Sequence, residues 1–119
     1  MQCIISYIRK VVMDVQMKKG LLDVCVLTLL KRGDSYGYKL MTELSEVVEM
    51  SESTLYPILK RLESGGQLYT YSREHSGRLR RYYSITERGR NRLKEFEEDW
   101  KEMQKIGAFI RGGENHDEE

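Results

Sequence analysis

Apolar and polar residues alternate along this chain with two different periods, and each change of period marks a new element. Between Leu21 and Leu30, within KKGLLDVCVLTLLKRG, apolar side chains occupy almost every direction of a helical projection. A helix that is apolar on all sides is buried on all sides, so this one is expected between two layers, with Met13 to Gly20 as a polar lead-in. In GDSYGYKLMTELSEVV, Asp34 or Ser35 can cap, and Leu40, Met41, Leu44 and Val48 recur at helical spacing, which predicts a second, amphipathic helix. Ser51 offers the next cap. Leu55, Ile58, Leu59 and Leu62 then form an i, i+3, i+4, i+7 stripe that stops at Gly65 and Gly66, a pair suited to ending a helix. The period next falls to two. QLYTYSR and RRYYSI, rich in tyrosine, flank EHSGRL, whose Ser-Gly favours a tight reversal, and so predict a β-hairpin. Thr86 caps a final helix from about Glu87 to Ile110. The fold class is therefore mainly α with a small β-hairpin.

With Leu55, Ile58, Leu59 and Leu62 turned inward, the third helix directs Ser53, Pro57, Lys60 and Ser64 outward, flanked by Tyr56 and Arg61. Such a small, polar, basic face fits a DNA major groove, although an ordinary solvated face has the same composition. The hairpin tilts this balance. Arg73, His75, Arg78, Arg80 and Arg81 crowd its tip and arms, and such groups repel one another unless a polyanion neutralises them. Overall charge is only +1, but its distribution is uneven. Ser51 to Arg92 holds nine Lys or Arg against four Asp or Glu, a net of +5, whereas Leu93 to Glu119 holds four against nine, a net of −5. The basic stretch is the candidate nucleic-acid face, and the element order is that of a winged helix-turn-helix followed by a long helix.

Other classes find less support. A chain of 119 residues accommodates one domain with a modest core, so any ligand site must be built within that fold or between subunits. Cys3 and Cys25 form no disulfide framework or metal-ligand spacing, which predicts a reducing, cytoplasmic setting and no metal or other cofactor. The apolar run Leu21 to Leu30 is about half the ~20 residues needed to span a bilayer, so no membrane partner is expected. His75 and His116 stand on a charged hairpin and in the tail, with no nucleophile and base pair to suggest an enzyme. A winged helix that docks on protein would have no reason to concentrate arginine on its wing. A non-specific architectural DNA binder stays open.

GLLDVCVLTLLKRGDSYGYKLMTEL, STLYPILKRLESGGQL and GRLRRYYSITERGRNRL resemble, in order and spacing, the PadR-like family of bacterial transcription regulators, from about Met17 to Ile110. The resemblance implies a dimeric repressor of operator DNA, with a winged helix-turn-helix over residues 17–86 and a C-terminal dimerisation helix over 87–111. It makes Ser51 to Ser64 the recognition helix and Gln67 to Ile85 the wing. It also places Tyr36 and Tyr38 in the second helix, near phosphates, and matches Tyr56 to a family tyrosine facing the DNA backbone; the same direction would equally stack Tyr56 on the wing. The candidate DNA contacts are thus Tyr36, Tyr38, Ser51, Ser53, Thr54, Tyr56, Pro57, Lys60, Arg61, Arg73, His75, Arg78, Arg80 and Arg81. Pro57, beyond the first turn if Ser51 is the cap, removes one helical hydrogen bond.

Leu93, Phe96, Trp100 and Met103 fit heptad a and d positions, continued imperfectly by Ile106 or Gly107 and then Ile110. This seam needs a partner: the first helix supplies one within the chain and a second copy supplies another across a two-fold axis, with Leu21 and Leu22 expected at the dimer interface beside the seam. Two-fold symmetry would bring paired recognition helices to successive major grooves. Trp100 stands where members of the family carry a tryptophan, and the resemblance implies a small aromatic or drug-like ligand there, beside Asp99, Met103 and Met41. Packing in the dimer core is the other reading of Trp100. Residues 1–16 are expected to be an N-terminal extension or arm. MDVQMKKG matches the usual start of such chains, and RKVV can be encoded by a purine-rich run resembling a ribosome-binding site, so Met13 is the expected natural start. The alternative is an amphipathic arm of Ile4, Ile5, Ile8, Val11 and Val12. Residues 112–119 are expected to form an acidic, disordered tail.

Overall fold

The computed structural model describes residues 15–112, so the readings of residues 1–12 as arm or leader and of the acidic tail fall outside the described residues. The elements are α1 (Val15–Arg32), β1 (Ser35–Tyr36), α2 (Gly37–Leu44), α3 (Glu52–Ser64), β2 (Leu68–His75), β3 (Arg78–Ile85) and α4 (Glu87–Ile110). The three strands form one antiparallel sheet in the order β1-β3-β2. Among the described residues, four helices with this sheet make a mainly helical winged fold, the class that the hydrophobic pattern predicts.

The core is the set of stripes read from the sequence. Val26, Leu27 and Leu30 of α1, Leu40 and Leu44 of α2, and Leu55, Ile58, Leu59 and Leu62 of α3 meet Leu68, Tyr83 and Ile85 of the wing, all buried. α1 contacts α2, α3, β3 and α4, so its all-round apolar surface has partners in several directions. Its first turns differ from expectation. Val15 to Gly20 is helical, since nothing in VQMKKG breaks the helix that follows.

α2 differs more. Of the segment expected to cap and begin it, Ser35 and Tyr36 instead enter the sheet, with Ser35 opposite Tyr83 and Tyr36 opposite Tyr82, and Asp34 lies in the loop before them. Tyr36 is extended (φ −131°, ψ 167°) and serves as N-cap by backbone alone, so Tyr36 is a strand residue and only Tyr38 lies in the helix. The helix stops at Leu44, and the N–H groups of Val47 and Val48 both bond to the Leu44 carbonyl at 2.9 Å in a closing turn.

α3 and α4 end and begin on strong local signals. Gly66, at φ +74°, reverses the chain after α3; its N–H bonds to Glu63 O at 3.0 Å and that of Gln67 to Leu62 O at 2.9 Å, a Schellman closure. Thr86 caps α4, accepting from Gly89 N at 3.2 Å and donating its own hydroxyl proton to Gly66 O at 2.6 Å. One side chain therefore joins the end of α3 to the start of α4. Gly89 is needed for the approach: a Cβ there would meet Gln67 O and lie 2.7 Å from Ile85 Cγ1. The distal part of α4 projects past the core, and the Cα radius of gyration is 17.7 Å, against about 14 Å for a compact domain of this length.

Candidate nucleic-acid interface

The outward face of α3 begins with a cluster of hydroxyls. Ser51 holds the N-cap backbone position, but its Oγ makes no cap hydrogen bond and instead lies 3.0 Å from Ser53 Oγ and 3.1 Å from Thr54 Oγ1. All three are exposed, as are Pro57, Lys60 and Ser64 farther along. Pro57 sits inside the helix, where its missing N–H leaves the Ser53 carbonyl without its usual partner. Hydroxyls, a carbonyl and one ammonium therefore share a convex surface, the donor and acceptor mixture that base edges and phosphates require.

Tyr56 is 44% exposed. Its hydroxyl rests against Gly37, where any Cβ would collide with it. The glycine of YGY is thus the seat of a tyrosine far along the chain. Tyr38, 74% exposed in the first turn of α2, and Leu79, Arg80, Arg81 and Tyr83 of β3 complete a cleft around this phenol. Tyr56 consequently faces the junction of α2, α3 and wing.

The wing reverses through Ser76 and Gly77, at φ 53° and 81°, a two-residue turn that fixes the register. His75 opposes Arg78, Arg73 opposes Arg80, Tyr71 opposes Tyr82 and Ser72 opposes Arg81. Alternation then separates the cations. Arg81 shares its face with Leu68 and Ile85, lies beside Tyr56, Lys60 and Glu63, and donates to Thr70 Oγ1 at 3.4 Å. Arg73, His75, Arg78 and Arg80 occupy the opposite face. There Tyr71 and Tyr82 stack with centroids 5.6 Å apart, and Tyr36 meets Tyr82 edge-on at 5.7 Å. Arg80 sits 3.8 Å over Tyr36, and Arg73 lies 5.3 Å from the Tyr82 centroid. Repulsion among the wing cations is therefore partly offset by aromatic faces, and a polyanion is not the sole source of relief. The Tyr71 hydroxyl donates to Asp34 Oδ2 at 2.6 Å, which holds its pKa above the ordinary value for tyrosine.

Arg61 is placed differently from the other candidate cations. Its guanidinium bonds to Oδ1 of Asp23, a carboxylate buried in α1, while Arg92 of α4 takes Oδ2 at 3.1 Å. Arg61 is thus an anchor of α3 to α1, because a buried carboxylate needs a cation more than a solvated face does. No local pattern signals this junction, since its members are widely separated along the chain.

At the other end of the molecule, Met17, Gly20, Leu21 and Val24 of α1 and Arg92, Glu95, Phe96, Asp99, Trp100 and Met103 of α4 line an open cleft of about 400 Å³. Phe96 and Trp100 stack there with centroids 6.3 Å apart and an interplanar angle of 15°. Asp99, Trp100 and Met103 are brought together as expected, whereas Met41 packs on the core elsewhere and does not line this cleft. Leu22 and Leu93, expected at the dimer interface, pack against the core of their own chain. Ile106, Phe109 and Ile110 are exposed, at 50%, 79% and 73%. Phe109 escaped the heptad count because it falls one residue before the seam position.

The Transcriptional regulator PadR-like family model matches residues 26–95. The transcriptional regulator Rv3488 of Mycobacterium tuberculosis is 38% identical over 82 residues, covering 68% of this chain and 74% of that protein. Among solved structures, a PadR-like transcriptional regulator from Bacillus cereus is 32% identical with a TM-score of 0.73, covering 83% of this chain and 99% of its own. A PadR family transcriptional regulator from Eggerthella lenta is 28% identical with a TM-score of 0.76, covering 94% and 99%. Hydroxyl-bearing α3 and the basic wing lie within the residues that the family model matches, α4 begins within them, and the chain belongs to the PadR-like family of transcriptional regulators.

Proposed function

We propose that this chain acts in the cytoplasm as a homodimeric repressor that binds operator DNA through α3 and the wing. Ser51, Ser53, Thr54 and Lys60 read the major groove, and Arg73, His75, Arg78, Arg80 and Arg81 contact phosphates together with Tyr38 and Tyr56. The observation that carries this reading is the continuous surface formed by the α3 hydroxyls, Lys60, Tyr56 and Arg81, the last three of which surround one cleft. Groove contacts would supply sequence preference and the wing would supply salt-dependent affinity.

The exposed seam of α4, with Trp100, Met103, Ile106 and Ile110 at its centre and Leu21 beside it, pairs with a second copy and spaces two α3 helices for successive grooves. The cleft at Phe96 and Trp100 takes a small planar aromatic or drug-like ligand, whose binding releases the DNA. Aromatic faces there favour stacking, and Glu95 and Asp99 favour a cationic ring system. Footprinting of the purified protein on DNA upstream of its own gene, repeated with planar aromatic cations, tests the reading. A two-fold protected site that opens with ligand is expected. Protection without any sequence preference would establish an architectural binder instead, and no protection on any duplex would refute DNA binding.

A further inference from the structure

Arg73 and Arg80 stand directly opposite each other on paired strands, where like charges disfavour pairing. Three tyrosine rings surround them. Arg80 Cζ lies 3.8 Å from the Tyr36 centroid and 5.9 Å from that of Tyr82, while Arg73 Cζ lies 5.3 Å from Tyr82 and 5.7 Å from Tyr71. Tyr82 is thus shared by both guanidinium groups, and its hydroxyl accepts from Arg80 Nη1 at 3.3 Å. Tyr82 stacks on Tyr71, which is tied through its hydroxyl to Asp34 in the loop ahead of β1. A column therefore runs from a carboxylate at the base of the sheet to two cations near the wing tip.

We propose that Tyr82, Tyr71 and Tyr36 are positioning residues for DNA binding, which hold Arg73 and Arg80 in phosphate-ready orientations before contact. The proposal rests on the DNA-binding reading above. A ring beneath a guanidinium restrains the side chain yet leaves its N–H edge free for bidentate bonds to phosphate oxygens. A carboxylate partner would also restrain it, but would cancel the charge on which counterion release depends. Aromatic faces soften the repulsion between the two arginines and leave both positive charges in place. The tie to Asp34 fixes the column to the body of the domain, so that rotamer freedom is restricted before binding instead of during it.

A double-mutant cycle tests this on a mixed-sequence duplex of about three helical turns, with binding followed by fluorescence anisotropy across a salt series. Tyr82→Leu should weaken binding roughly 2- to 13-fold for each arginine left unrestrained, the cost of ordering a long side chain on contact, and should flatten the salt slope by up to about 0.9 for each phosphate that is no longer neutralised. Tyr82→Phe, which keeps the ring, should retain the parental slope. In an Arg73→Gln/Arg80→Gln background, Tyr82→Leu should change nothing further. Full additivity, or an unchanged salt slope in Tyr82→Leu, would overturn the proposal. Should circular dichroism show Tyr82→Leu unfolded, Tyr36→Leu at the sheet edge, combined with Arg80→Gln, provides the same cycle. A parent protein that binds no duplex would refute the functional reading itself, whereas binding with an additive cycle would refute only the positioning role.

Discussion

Breaking the Asp23 junction from its acidic side and from its basic side should have unequal costs. Asp23→Ala releases Arg61 and Arg92, whose side chains are already 43% and 30% exposed, so both guanidinium groups can regain water. The destabilisation is then limited to the hydrogen bonds themselves, about 1–2 kcal/mol after allowing for solvent screening. Arg61→Ala with Arg92→Ala does the reverse. It strands a carboxylate whose side chain is only 6% exposed, and an uncompensated buried charge costs about 3–5 kcal/mol. The difference of about 2 kcal/mol would separate the two urea midpoints by roughly 1 M at a typical slope for a small domain. The assay is urea unfolding by circular dichroism at neutral pH, at one fixed protomer concentration so that any self-association contributes equally. An Asp23→Ala variant as damaged as the double arginine variant would refute the desolvation argument and make the junction an ordinary surface ion pair.

Three further outcomes follow from the geometry. Gly89→Ala should lower stability by roughly 1–3 kcal/mol through overpacking against Gln67 O and Ile85, although helix propensity alone would favour alanine by about 1 kcal/mol; a raised Tm would reject the close-approach explanation. Tyr71 and Tyr83 have pKa values raised by the Asp34 hydrogen bond and by burial respectively, so the unfolded phenols ionise first as pH rises. Their stabilisation is complete below about pH 10 and is lost as pH climbs through the folded values; Tyr71→Phe should remove its share, and identical alkaline curves for variant and parent would contradict this. Trp100→Ala should weaken self-association by at least about 30-fold, as expected for a central aromatic anchor. Sedimentation equilibrium showing an unchanged dimer would exclude α4 as the interface.

What was legible in the sequence was local. The Leu55, Ile58, Leu59, Leu62 stripe, the double glycine after it and the Thr86 cap each act within one or two turns, and the structure places all of them as read. Features made by distant pairing were hidden. Ser35 and Tyr36 look like a helix start because a two-residue strand has no period to detect; only Tyr82 and Tyr83 across the sheet make it one. Asp23 lies in an apolar run, and its partners Arg61 and Arg92 reach it from two other helices. Gly37 and Gly89 are required by what passes over them, Tyr56 and Gln67, which no local rule registers. The wing register is local too: counting outward from Ser76 and Gly77 pairs Arg73 with Arg80 and Tyr71 with Tyr82, so the strands continue through Glu74, His75, Arg78 and Leu79.

The division of labour between α3 and the wing is tested most directly by comparing Ser53→Ala/Lys60→Ala with Arg78→Gln/Arg81→Gln on the footprinted site and on a scrambled duplex, each over a salt series. The groove variant should lose affinity for the site alone, narrowing the ratio between the two duplexes, while the wing variant should weaken both equally and flatten both salt slopes. Equal losses on both duplexes from the groove variant would contradict sequence reading by α3.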